Sequence, residues 1–106
     1  VAALPVLGTA HVAGRLYDLG AFPGMVLEPR SRHAVAGWLL RLPVDPTGVL
    51  GALDHFEGRR FVRVTTTVFH GRRRMACWVY TLRRPPTSGR PIRSGRWSLA
   101  PRPAKR

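Results

Sequence analysis

Phe61-Val62-Arg63-Val64-Thr65-Thr66-Thr67-Val68-Phe69, the turn His70-Gly71-Arg72-Arg73, and the return run from Arg74 to Leu82 decide the fold class. The first run is rich in Val, Thr and Phe and carries apolar residues at both odd and even positions. Both of its faces are therefore expected to be covered, which places it inside a sheet rather than at an edge. The return run, Arg74-Met75-Ala76-Cys77-Trp78-Val79-Tyr80-Thr81-Leu82, is its hairpin partner. In a chain of 106 residues there is room for one core, and this hairpin occupies much of it.

Upstream, shorter strand-like runs alternate with turn signals. Val12 to Tyr17 reads as a strand ending at Asp18-Leu19-Gly20, and Ala21-Phe22-Pro23-Gly24 as a tight turn. Met25 to Glu28 is short and extended. Ala34 to Leu42 is a further strand with Trp38, Leu40 and Leu42 on one face. One helix interrupts the pattern. Asp45-Pro46-Thr47 supplies an N-cap and a first-turn proline, and Val49, Leu50, Leu53 and Phe56 recur at helical spacing up to about Glu57. From Arg83 onward Pro and Gly break regular structure, although Ile92 and Trp97 can dock this segment on the core. The expected domain covers residues 1–98, with a basic flexible tail at 99–106. The fold class is α+β, β-rich, with one or two short helices and a sheet suited to a small barrel.

Glu57 stands out chemically. It lies four residues after Leu53 and seven after Leu50, so it continues the helix's apolar stripe, and it sits in the last turn before Gly58. Burial and the helix dipole both disfavour a negative charge there and raise a carboxyl pKa, the preparation general acid–base chemistry needs. The bland alternative is a frayed helix-end charge. Cys77, the single cysteine, excludes an internal disulfide and reads as a small core residue; the four His are scattered and offer no metal-ligand spacing. No apolar run spans a bilayer and no leader pattern is present, so the expectation is a cytoplasmic protein.

The net charge of +13 is unevenly spread. Residues 1–58 hold all five acids and four arginines, a net of −1, whereas residues 59–106 hold thirteen arginines and one lysine, a net of +14. Such polarity suggests an anionic partner, nucleic acid or a charged surface. Against that, almost every cation is Arg, and with abundant Ala, Pro and Gly this is the composition of a GC-rich coding sequence. Phe61, Phe69, Trp78 and Tyr80 sit in strand-like runs, where core packing explains them more simply than base stacking.

Several short elements, in order, resemble gamma-glutamylcyclotransferase-like proteins, in the branch of gamma-glutamylamine cyclotransferase-like and plant avirulence-induced-gene-like members. They are Gly14-Arg15-Leu16-Tyr17-Asp18-Leu19-Gly20, Phe22-Pro23-Gly24, Val35-Ala36-Gly37-Trp38-Leu39, Leu53-Asp54-His55-Phe56-Glu57-Gly58, Arg63 with its strand, Ala76-Cys77-Trp78-Val79-Tyr80 and Ile92-Arg93-Ser94-Gly95-Arg96-Trp97. The resemblance implies a small mixed β-barrel and release of 5-oxoproline from a small gamma-glutamyl amine or peptide, with no cofactor and no metal. It implies Glu57 as the proton-moving acid/base, and Tyr17, Gly20, Phe22, Pro23, Gly24 and Tyr80 at the substrate. Asp54 reads as structural near the helix end, and Arg63 as a surface pair. Phe61 departs from the family's frequent Tyr, and Trp38 from a smaller strand residue.

The family's glycine loop of Y-G-T-L type, which cradles the glutamyl group, has no good counterpart. Leu7-Gly8-Thr9 looks like it but lies five residues before Gly14, too close for the intervening helical segment. The expectation is a domain lacking its first strand and glycine loop, in keeping with Val rather than Met at position 1. Three readings follow: a cyclotransferase, a non-catalytic barrel acting as a binding module, or a basic nucleic-acid binder whose affinity falls steeply with salt.

Overall fold

Strand β1, Val6–Asp18, is the spine of the molecule, and every ladder built on it is antiparallel. The structure is a computed structural model that describes residues 4–97. The first half of β1 pairs with β3, Ala34–Leu40. Its second half pairs on one side with β2, Pro23–Leu27, and on the other with β6, Arg90–Ile92. Helix α1, Thr47–Glu57, leads into the hairpin of β4, Phe61–His70, and β5, Arg73–Leu82. The hairpin ladder runs unbroken from Phe61↔Leu82 to His70↔Arg73. Gly71 makes its turn at φ 63°, the left-handed region where a side chain is penalised.

The expected elements are present, with instructive differences. β1 is more than twice as long as the run from Val12 to Tyr17 suggests. Leu7-Gly8-Thr9 is part of it, with Gly8 and Thr9 registered against Leu39 and Trp38. β6 was not expected, because Pro91 sits at its centre; the strand is only three residues long, so the missing N–H costs little. Trp38 and Leu40 face outward, 64% and 44% exposed, while Val35 and Leu39 of the same strand are buried. The tail from residue 99 lies outside the described residues.

In α1, Asp45 Oδ1 accepts from the Thr47 N–H at 3.2 Å, so it serves the helix start from one residue before Pro46. Leu50 is buried and Leu53 half-buried, but Phe56 is 81% exposed. The helical pitch explains the difference: Leu50 and Glu57 fall within about 20° of one line, whereas Phe56 lies about 120° away from it. One short helix on a sheet covers only the first line.

The core is Ala10, Val12 and Leu16 of β1, Val35 and Leu39 of β3 and Val68 of β4. Met25, Leu27, Met75, Cys77, Val79, Ile92 and Trp97 pack against it, so Ile92 and Trp97 do dock the C-terminal segment. The hairpin register puts Val68, Met75, Cys77 and Val79 on this inner face. Arg63, Thr65, Trp78 and Tyr80 lie on the opposite face, where α1 sits.

The sheet rolls but does not close into the expected mixed barrel. β4 meets β1 in a single registered pair, His11↔Phe69. At the other seam no ladder joins β2 to β5. Instead the buried Thr81 hydroxyl accepts from the Leu27 N–H and donates to the Met25 carbonyl, both at 3.1 Å. Thr81→Val keeps the shape and strands both backbone groups. It is expected to lower stability by about 1–3 kcal/mol, read as a shifted urea midpoint.

Candidate active site

A cavity of about 810 Å³ opens between β1, β3, α1 and the hairpin. Its lining is mostly apolar, with Leu39, Leu50, Leu53 and Met75 among the contributors. Consecutive residues of β5, Ala76 to Tyr80, contribute to it, and β5 is the end strand of the order β2-β1-β4-β5. Glu57 is the only Asp, Glu, Lys or Arg among the described lining residues.

Glu57 reaches the cavity because α1 continues for exactly one more turn past Leu53, and Gly58 then ends the helix with its N–H on the Asp54 carbonyl at 3.1 Å. The carboxyl is half-buried, and loss of hydration raises its pKa above the usual Glu range. One turn earlier, Asp54 has the opposite environment. Arg63 Nε and Nη2 donate to its two carboxylate oxygens at 2.8 and 3.1 Å, and the Tyr80 hydroxyl donates to Oδ1 at 2.5 Å. These bonds, Arg63's first and Tyr80's second, hold Asp54 below the usual carboxylate range. The Arg63 guanidinium also lies 4.4 Å from the centre of the Trp78 ring. Burial raises the Tyr80 phenol above its ordinary value, and the bond to Asp54 adds to that; the charge of Glu57 contributes in the same direction.

Two carboxylates one turn apart are thus driven to opposite states, one bound up in an ion pair and one left desolvated and ready to take a proton. Asp54 and Arg63 were read from sequence only as a structural residue and a surface pair. Their partnership with Tyr80 depends on the Arg63↔Tyr80 register, which puts both side chains on the face beneath α1.

Of the other expected substrate residues, Pro23 and Tyr80 line the cavity with Glu57. Tyr17, Gly20, Phe22 and Gly24 do not. Tyr17 is registered between Gly24 and Pro91. The Gly20 N–H donates to Asp18 Oδ1 at 2.8 Å in the turn. Phe22 packs against Phe61, ring centres 6.2 Å apart, beneath the Arg60 guanidinium. Gly24 is buried under the Leu19 and Leu82 side chains.

Leu7-Gly8-Thr9 is strand rather than loop, with a register irregularity between Val6 and Gly8; the Thr9 carbonyl accepts from His70 Nδ1 at 2.8 Å. Among the described residues no three His, Cys, Asp or Glu side chains gather at one point, and no helix is long and apolar enough to cross a membrane.

No curated protein and no solved structure matches the chain. Residues 1–99 match the family described as gamma-glutamyl cyclotransferase, AIG2-like. That match covers nearly the whole sequence, and the chain belongs to the AIG2-like gamma-glutamyl cyclotransferase family.

Proposed function

We propose that the protein releases 5-oxoproline from a small gamma-glutamyl amine or peptide, with Glu57 as general acid and base. The observation that carries this reading is a half-buried carboxyl, its pKa raised, standing as the one fully charged group on the wall of an apolar cavity. The reaction is internal to the substrate. The α-amine forms a bond to the γ-carbonyl carbon, and the amide C–N bond to the leaving amine breaks. Holding the folded conformer supplies much of the rate. Glu57 takes one proton from the attacking nitrogen and hands it to the leaving nitrogen. The carbonyl oxygen needs donors while it carries charge.

The working form of Glu57 is the carboxylate, so activity is gained as pH rises through its pKa. Because desolvation raises that pKa, the acid limb of kcat/KM is expected above the usual carboxylate range. An acid limb at an ordinary Glu value would contradict the assignment.

A second reading has its own observation. Gly8 and Thr9 are registered against Leu39 and Trp38 in the β1–β3 ladder rather than forming a glycine loop, and on this reading the protein acts as a binding module. Incubating residues 1–106, and a form extended upstream if the reading frame allows, with gamma-glutamyl amines and dipeptides separates the two. Release of 5-oxoproline, detected by mass spectrometry, supports the enzyme. Ligand binding without release by either form supports the module.

A further inference from the structure

The contact between Tyr80 and Asp54 fixes more than the packing of α1. A phenol has one proton to give, and Tyr80 gives it to Asp54 Oδ1. Its oxygen retains only lone pairs, and Tyr80 is part of the cavity wall. Asp54 is itself immobilised, since Arg63 grips both carboxylate oxygens and is stacked on Trp78. The positive charge of Arg63 is matched by Asp54 and leaves Glu57 uncompensated. In a chain of net charge +13, the described lining residues thus include one acid, Glu57, beside the uncharged polar side chains of Tyr80 and Thr65 and the imidazole of His11, and no Arg or Lys.

We propose that Asp54 is a positioning residue, which by taking the Tyr80 proton makes the phenolic oxygen an acceptor and so forms, with Glu57, the site for the α-amine of the glutamyl group. This rests on the cyclotransferase reading and adds the residues that select the amine. An amine placed there gives one N–H to Tyr80 and another to Glu57, which puts the proton to be moved on the carboxylate that moves it. Asp54→Ala removes the acceptor that Tyr80 and Arg63 share. The Tyr80 hydroxyl is then free to turn its own proton toward the amine. Tyr80→Phe keeps the ring and the Asp54–Arg63 pair and removes only the oxygen.

The test uses a matched pair of unreactive ligands, L-glutamate and its desamino counterpart glutarate, titrated calorimetrically into the protein and the two variants. The parent is expected to prefer glutamate. Each variant should lose about tenfold or more of that preference, the scale of one charge-assisted hydrogen bond, with glutarate affinity little changed. A merely structural role for Asp54 weakens both ligands together, and that result overturns the proposal, as does an absence of preference in the parent or failure of both ligands to bind. The underlying reading fails separately. Preference for glutamate with no 5-oxoproline release from any substrate removes the cyclotransferase and keeps the amine site. Release with no preference removes the site alone.

Discussion

Replacing Glu57 with Gln is expected to cut 5-oxoproline release by about two to four orders of magnitude, the usual contribution of a positioned general base. The amide keeps the volume and hydrogen-bonding reach of the side chain but cannot take a proton. The fold should survive, and the direction of the stability change is itself diagnostic. A carboxyl whose pKa is raised by folding contributes stability below its unfolded pKa and loses that contribution as pH rises through the folded value. At neutral pH the parent carries that loss and the Gln variant does not, so the variant should unfold at an equal or higher urea concentration. Asp54 behaves in the opposite sense. Its lowered pKa contributes stability above the usual Asp range, lost on acidification. Activity within tenfold of the parent, with an intact circular dichroism spectrum, would remove Glu57 from the mechanism.

The largest effect on folding is expected at Gly95. This buried residue has φ 70°, and a Cβ built on it would lie 2.0 Å from the Ala34 carbonyl oxygen. Its N–H donates to the Ile92 carbonyl at 3.0 Å, and its own carbonyl accepts from the Ala36 N–H at 2.8 Å. It is therefore the stitch between the β6 turn and β3. Gly95→Ala combines left-handed strain with a collision against backbone that cannot swing aside, and the Ala36 bond must give way. A loss of about 2–4 kcal/mol follows from strain plus one hydrogen bond. That is a large share of the roughly 5–15 kcal/mol available to a domain of this kind. Gly37→Ala is the control: an added Cβ meets nothing within 4 Å there. Coincident urea midpoints for the two variants would show that the Gly95 contact is not what holds the C-terminal segment.

What the sequence conveyed was what local pattern can encode. The Val- and Thr-rich run at 61–69, its glycine turn and its partner were readable because a hairpin is set by neighbours in the chain. Glu57 was readable because helical pitch relates it to Leu50 and Leu53. The full length of β1 was not, since Gly8 looks like a loop residue until Leu39 and Trp38 are found beside it. Phe56 misled for a related reason: an apolar residue at helical spacing is covered only if a second surface arrives. Neither the Asp54–Arg63–Tyr80 arrangement nor the unclosed seam could be seen, because both depend on how distant strands are set against one another. At that seam a single hydroxyl, Thr81's, stands where a ladder was anticipated.

Strand β5 has arginines at both extremities: Arg73 and Arg74 open it, with Arg72 just before them, and Arg83 and Arg84 follow it. An open strand edge invites a second molecule to dock along it. If two copies approach antiparallel, Arg73 and Arg74 of one face Arg83 and Arg84 of the other; if parallel, like ends meet like. Both full-length alignments along that edge set cation against cation. Much of the cationic surplus in the second half of the chain thus has a colloidal use that needs no nucleic acid, and it is one that added salt, by screening, would weaken.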